Sequence, residues 1–309
     1  MQRLPLYKAS IGLSDNIDPL RGAYNTETGA VALAQGDDII YDVTGAIKSR
    51  DRISLSVSGE YHSGFSCDTY GLCVCNGYLC VIEPDLTVRS LSVIIRGKKV
   101  AYARIFDGSY DTVFFSDGVI VGKVRNKVAM AWSVQPYVGV QSIQAQVTSF
   151  LQYVPVGHIL HIFNGRMYIA VDNILYVSEL YAYSWYDIKN CFIFESKISV
   201  VNSVYTGLIV STQHEVIFMP GQGPEDFGRV SALNAGAIES SDCVITASDI
   251  GGQAKSTQVF FAVPNRGIYS IDESGAAINR TEVFINFPTA GISACFIDQV
   301  KQYIITLLQ

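Results

Sequence analysis

Few residues in this chain have the types and spacing that chemistry needs. Cys73 and Cys75 alternate along one apolar run, which puts two thiols on one strand face. A structural zinc takes four ligands in tetrahedral array, and no second pair stands at a matching spacing, so the two read as core packing rather than a metal site. His158 and His161 flank an apolar pair, and residues three apart on a strand point to opposite faces. That geometry suits structural or interface histidines better than a shared metal. Asp107, Asp111 and Asp117, or Asp242 and Asp249, are candidates for the two carboxyls, a few ångströms apart, that glycoside hydrolysis requires. Nothing in their spacing singles out a pair, and Asp is a common turn former.

Catalytic motifs are mostly missing: there is no Walker A loop, no H-E-x-x-H and no G-x-S-x-G elbow. Gly221-Gln222-Gly223-Pro224 runs into Glu225 and Asp226 instead of a helix, which reads as an acidic surface turn. The expectation is a protein without enzymatic activity, metal or cofactor. Lys123, Arg125 and Lys127 alternate, placing three positive charges on one strand face, and Arg96, Lys98 and Lys99 form a second basic cluster. Such a row either protects an edge strand from unwanted pairing or meets an acidic neighbour. In the second reading Lys123, Arg125, Lys127, Glu225 and Asp226 are candidate contacts between subunits or with a lumen. Tyr181, Tyr183, Trp185 and Tyr186 make one aromatic cluster, fit either for a sugar platform or for packing between elements. Asn279-Arg280-Thr281 is a glycosylation sequon, expected to be without consequence given no export signal at Met1–Lys8.

The elements that must position these residues are strands. Short apolar runs rich in Val, Ile, Tyr and Phe are punctuated by Gly, Asn and Asp. One hairpin recurs: Leu72–Cys75 and Tyr78–Val81 around Asn76-Gly77, Thr112–Ser116 and Val119–Val121 around Asp117-Gly118, Met167–Val171 and Ile174–Val177 around Asp172-Asn173. Further copies are Leu208–Ser211 with Val216–Met219, Val259–Val263 with Gly267–Ile271, and Cys295–Ile297 with Tyr303–Leu307. The first five turns recur every 41 to 55 residues, the interval of β-propeller blades. The strands are apolar on both faces, as expected of a sheet sandwiched between two others. The predicted architecture is therefore all-β: a single propeller of about five or six blades, with a strand at Ala30–Leu33 or Ile39–Val43 available to close the ring. A β-sandwich or two small barrels would use the same strands. Between the second and third hairpins, Ile143, Val147, Phe150, Leu151 and Val154 have helical spacing, but alternation about Gln144 and Gln146 favours a strand.

Composition narrows the class. The 309 residues carry 22 Lys+Arg against 28 Asp+Glu, a net charge of −6, and are 49% hydrophobic but 16% charged. The charged share lies well below the usual ~25%, as expected if part of the folded surface is covered by neighbouring subunits. An acidic chain is a poor tight binder of nucleic acid, whose affinity comes largely from Lys and Arg on phosphate. No apolar run reaches the ~18 residues of a membrane span, and Met1–Lys8 lacks the apolar segment of a leader. Seven cysteines, an odd number, fit a reducing compartment.

The residues ahead of the first hairpin carry a resemblance. Gly12-Leu13-Ser14-Asp15-Asn16-Ile17-Asp18-Pro19 resembles the G-L-x-x-x-x-D-P opening of tail proteins of short-tailed bacteriophages. Tyr41–Arg50 is similar to their N-V-D-x-x-x-G-x-x-x-R segment, keeping Asp42, Gly45 and Arg50 but with Tyr41 where Asn is usual. Ser66–Leu91 resembles the family's first blade, with Asn76-Gly77-Tyr78-Leu79 followed by Pro84-Asp85. The likeness covers about the first 90 residues. It implies a tail nozzle or tail-hub subunit, one of six around the tail axis, hung below the adaptor, or head-to-tail connector, beneath the portal. On this reading residues 1–55 form a docking or ring-closing segment, with Gly12, Leu13, Asp15, Asp18, Pro19, Asp42, Gly45 and Arg50 as the docking motif, and residues 56–309 form the propeller. The protein would be assembled in the host bacterial cytoplasm and reside in the virion tail, with a tail fibre or spike as a further partner. DNA would pass along its channel without tight binding, which an acidic wall favours. Two other classes fit the same fold: a carbohydrate-binding or glycan-processing propeller, and an intracellular interaction scaffold.

Overall fold

The computed structural model describes residues 58–132 except 98 and 107, 154–246 except the side chain of 188, and 256–281. Of the remainder it describes only the strand backbone of 9–13, 23–24, 30–33, 39–41, 47–49, 151–152, 293–298 and 303–308. All regular structure among these residues is β.

Five antiparallel sheets follow one another along the chain. The first is β6 (Tyr61–Ser66), β7 (Gly71–Cys75), β8 (Tyr78–Ile82) and β9 (Val88–Ile94). The second is β10 (Ala101–Phe106), β11 (Asp111–Ser116), β12 (Val121–Arg125) and β13 (Val128–Ala131). The third is β15 (Ile159–Phe163), β16 (Arg166–Val171), β17 (Ile174–Glu179) and β18 (Ala182–Ile193), with β14 (Leu151–Gln152) added beside β18. The fourth is β19 (Ile198–Val204), β20 (Gly207–Thr212), β21 (Val216–Pro220) and β22 (Val230–Leu233). The fifth is β23 (Cys243–Ile245), β24 (Gln258–Val263), β25 (Gly267–Ile271) and β26 (Ala277–Asn279). A sixth hairpin pairs β27 (Ser293–Asp298) with β28 (Tyr303–Leu308), and β27 lies beside β23.

Each of the first five recurrent hairpins of the sequence is the second and third strand of a sheet, and packing explains why those strands are apolar throughout. Alternate residues of one strand serve opposite neighbours. Val113 and Phe115 of β11 pack with Leu72, Val74 and Leu79 of the first sheet, while Phe114 between them packs with Met167 and Ile169 of the third. Tyr168 and Ala170 then join Leu208 and Val210 of the fourth, whose Ile209 joins Val259 and Phe261 of the fifth. Four such apolar clusters each bridge two successive sheets, and fully burying one large aliphatic side chain contributes about 1.5–3 kcal/mol. Close approach is built in at Gly122, where a Cβ would stand 2.3 Å from the Phe115 ring opposite it.

Cross-sheet hydrogen bonds define two faces. On the lower face lie the connections from first to second and third to fourth strand: Lys127 Nζ meets Glu83 Oε2 at 2.5 Å, Asn164 Nδ2 donates to Gln222 O at 3.1 Å, and Thr206 Oγ1 donates to Glu273 O at 2.7 Å. On the upper face lie the second-to-third turns and the links between sheets. There Asn173 Nδ2 donates to Phe194 O at 2.9 Å, and Asp117 binds the link before β10.

Three expectations are corrected. Asp117-Gly118 is not a two-residue turn: Ser116 pairs with Val121, because the Asp117 carboxylate accepts from Val119 and Ile120 N–H and holds a four-residue loop. Lys127 does not share a strand with Lys123 and Arg125. It occupies a turn with Asn126, both at positive φ (61° and 48°), the geometry of a tight hairpin. Nor is their strand an edge, since β12 is paired with β13 on its outer side. Ala30–Leu33, β3, pairs in parallel with β1 (Ala9–Leu13) and antiparallel with β2 (Ala23–Tyr24), and β4 (Ile39–Tyr41) pairs with β5 (Ile47–Ser49). Among the described strands neither β3 nor β4 is bonded to β27 or β28. Of the ambiguous segment, Leu151 lies in β14, and Ile143, Val147 and Phe150 lie outside the described residues.

Candidate functional site

The first strands of all five sheets converge. Phe65 of β6, Tyr102 of β10, His161 of β15, Asn202 of β19 and Val244 of β23 line one cavity of about 370 Å³, together with residues of the links that precede them. A cavity bounded by the innermost strand of each successive sheet is the axial space of a propeller, and this is the site the fold builds.

Its upper mouth is held by charge. Glu239, in the link before β23, takes Lys99 at 3.3 Å on one oxygen and Lys197 at 3.5 Å on the other. Lys99 also bonds Ser240. Burial pushes the Glu239 carboxyl up, but the two lysines outweigh it and hold the group below the usual carboxylate range. Beside them His158 Nε2 donates to Ile198 O at 2.8 Å, and burial lowers its pKa, with the Ile198 bond opposing in part.

Deeper in, Asn202 Nδ2 donates to Asp242 Oδ2 at 2.9 Å, and His161 Nε2 stands 2.8 Å from Ser203 Oγ. Burial raises the Asp242 carboxyl above its ordinary range, with the Asn202 bond opposing in part. Burial alone lowers His161 to about 4. The arrangement offers a carboxyl that keeps its proton longer than usual beside a neutral imidazole, over walls of Tyr102, Val200 and Val201.

His158 and His161 therefore face the same space. The expectation of opposite faces fails because His158 precedes the strand, at a bend whose N–H bonds Ala170 O, so strand alternation does not include it. The carboxylates are dispersed: Asp111 is ion-paired with Arg104 at 2.5 Å, Asp117 caps a loop and Asp242 lies on the axis. Asp107 and Asp249 lie outside the described residues. Cys73 sits opposite Cys80, and burial raises both thiols, Cys73 to about 11. Tyr186 is fully buried between the second and third sheets and Tyr183 packs 5.8 Å from Phe114, so half of the aromatic cluster fills an inter-sheet seam.

Of the charged candidates, Arg125 lies over the Tyr110 ring at 5.5 Å, Lys123 is half-buried on β12, and Lys127 is taken up by Glu83. Asp226 closes its own turn by accepting from Gln222 and Gly223 N–H, leaving Glu225 exposed beside it. Gly12 and Leu13 fall in β1, opposite Ala32 and Leu33. Asp15, Asp18, Pro19, Asp42, Gly45 and Arg50 lie outside the described residues.

Sequence reading missed Asn202, Asp242 as its partner, and Glu239. A signal existed: bonded pairs on and above the axis are one repeat apart, with separations of 40 for Asn202 and Asp242, 42 for His161 and Ser203, and 40 for His158 and Ile198.

No family model and no curated protein matches the chain. Among solved structures it is similar to the extracellular domain of a hybrid two-component system from B. thetaiotaomicron, at 10% identity and TM-score 0.49 over 87% of this chain and 37% of that one. It is also similar to PorZ, a surface component of the type-IX secretion system of Porphyromonas gingivalis, at 10% identity and TM-score 0.44 over 83% and 34%. A third is a streptogramin B lyase, at 11% identity and TM-score 0.41 over 82% and 85%. The chain spans little more than a third of the first two. The architecture described above rests on strand pairing and packing alone. Among the described residues no helix is long and apolar enough to cross a membrane.

Proposed function

We propose that the chain is a non-enzymatic structural subunit that assembles with copies of itself, and that it serves as the tail nozzle or tail hub of a short-tailed bacteriophage. The observation that carries the assembly reading is the lower face. Leu86, Phe106, Val128, Tyr181, Tyr205 and Val230, from four successive sheets, are each more than half exposed there, Tyr205 at 76%. Apolar side chains repeated at the same end of successive sheets would be covered by a neighbouring copy, and the low charged fraction agrees with that reading. The N-terminal resemblance supplies the particular assembly.

In this reading the propeller has five or six blades, with β27 and β28 belonging to the last. Six copies surround the tail axis, held to the adaptor through the segment from Gly12 to Arg50, with a fibre or spike below. Lys123, Arg125 and Glu225 are the charged groups proposed for contacts between copies. DNA runs between the subunits, not through one, because the major groove of B-DNA alone is about 12 Å wide and the axial cavity holds only about 370 Å³. A net charge of −6 keeps the wall from holding phosphates. Assembly takes place in the host bacterial cytoplasm, and the finished subunit resides in the virion tail.

Tyr181→Arg with Tyr205→Arg tests the interface. The double variant should fold, since both side chains are exposed, and should fail to enter particles. Incorporation at the wild-type level would remove the lower face from the assembly.

A further inference from the structure

Two tyrosines of the lower face are tied into one patch with a carboxylate. Tyr181, in the turn between β17 and β18, lies against Gly165, where a Cβ would stand 2.6 Å from its ring. Its N–H donates to Gly165 O at 2.7 Å, and its φ of 55° is a costly conformation for a bulky residue. Asn164, next to Gly165, donates to Gln222 O at 3.1 Å, and Gln222 Nε2 donates to Tyr205 O at 3.0 Å in the turn between β19 and β20. This chain of contacts joins both tyrosines to the turn that carries Glu225 and Asp226. Asp226 is spent on Gln222 and Gly223 N–H. Glu225 is exposed and has no ion pair among the described residues, and the two tyrosines stay 74% and 76% exposed.

The lower face of the first two sheets shows what such groups hold when a cation is at hand. Arg125 lies over the Tyr110 ring at 5.5 Å, and Lys127, 5.9 Å from the Tyr70 ring centre, also meets Glu83. No cation lies over Tyr181 or Tyr205 among the described residues. Arg166, the neighbour of Gly165, is 15% exposed and is held by Ser178 O at 2.9 Å and Glu179 at 4.0 Å.

We propose that this patch docks an arginine-bearing segment of the chain that covers the lower face, with guanidinium groups stacked on Tyr181 and Tyr205 and bonded to Glu225. The proposal rests on the reading that the lower face is covered, and it names the chemistry of what covers it. A guanidinium is flat, lies on aromatic faces and presents a fork of donors to a carboxylate. A lysine ammonium brings a point charge without the flat face. A purely apolar cover would bury Glu225 without a counter-charge, which is costly, and an acidic one would repel it. The ring of Tyr181, already seated on Gly165, loses little freedom on binding.

Fluorescence anisotropy of the full chain with labelled peptides of four Arg-Ser, Lys-Ser or Glu-Ser repeats tests this. The expected result is saturable binding of the arginine peptide, at least threefold tighter than the lysine peptide, with no binding of the glutamate peptide. Tyr181→Ser with Tyr205→Ser should weaken it at least tenfold, and Glu225→Gln at least threefold. Asp85→Asn removes the same charge from the link between β8 and β9, also on the lower face, and should change binding by less than twofold. Should the double variant not fold, Tyr205→Ser alone must weaken binding at least threefold. Equal affinity for the arginine and lysine peptides, full affinity in the tyrosine variants, or an equal loss in Asp85→Asn would each overturn the proposal. If particles exclude Tyr181→Arg with Tyr205→Arg but no peptide binds, this proposal fails and the assembly reading stands. If particles admit that variant, the assembly reading fails whatever the peptides do.

Discussion

Lys99 Nζ and Glu239 Oε1 meet at 3.3 Å across the propeller axis, although 140 residues separate them. Lys99 precedes the first strand of the second sheet and Glu239 that of the fifth, so the contact joins sheets that are not neighbours. Only sheets that curve around a common axis bring such residues together.

Both partners are partly exposed, at 37% and 28%, which limits what the pair contributes. Exposed ion pairs are worth up to about 1 kcal/mol, and salt screens them. Glu239→Gln should therefore destabilise by about 1 kcal/mol in urea unfolding at low salt, and by less at high salt. A loss independent of salt would mean that Glu239 acts by packing rather than charge.

Asp117 is the stronger structural carboxylate. Its oxygens accept from Arg96, Gly97, Val119 and Ile120 N–H at 2.7–3.0 Å, tying a loop of the second sheet to the link from the first. Burial pushes its pKa up, but the four N–H donors outweigh it and the carboxyl is held below its ordinary value. Stability from such a group is present above the unfolded pKa and lost as pH falls through the folded one, hence in the window below about pH 4. Asp117→Ala should cost roughly 2–4 kcal/mol at neutral pH, read as a drop in the urea midpoint, whereas Asp117→Asn should recover part of it.

His161 produces a different pH dependence. With a folded pKa of about 4 against an ordinary 6.5, the unfolded chain binds the proton more readily between those values. Stability is then full above about pH 6.5 and drains by up to about 3 kcal/mol as pH falls toward 4. Asp242 has the opposite sign, its raised pKa giving stability on the acid side that fades as pH rises. The difference between wild type and His161→Gln isolates the first effect: the variant should lose less stability on acidification. Identical slopes would place the imidazole in solvent.

Inter-sheet packing should respond by the size of the cavity created. Leu208 is fully buried between the third and fourth sheets, and Leu208→Ala should cost about 2–5 kcal/mol. Leu86→Ala, at an exposed lower-face position, should change stability by less than about 0.5 kcal/mol.

How far the sequence discloses this fold depends on which residues one reads. Met167–Ala170 and Leu208–Val210 announce their strands because each side chain, whichever way it points, meets an apolar neighbour. Loops decided by side chains were less legible: the Asp117 carboxylate turns an apparent Asp-Gly hairpin into a four-residue loop, and Asn126-Lys127 makes a tight turn without glycine. The axial site was hidden for a geometric reason. Asn202 and Asp242 sit at corresponding places of two successive repeats, where proximity comes from the repeat interval and not from local spacing.

The assembly reading is tested most directly by quantitative peptide mass spectrometry on gradient-purified particles, comparing this chain with the portal protein. A closed ring of about six copies below a portal of about twelve predicts a ratio near one half. Absence of the chain from particles would contradict the account and leave a glycan-binding or intracellular propeller in its place.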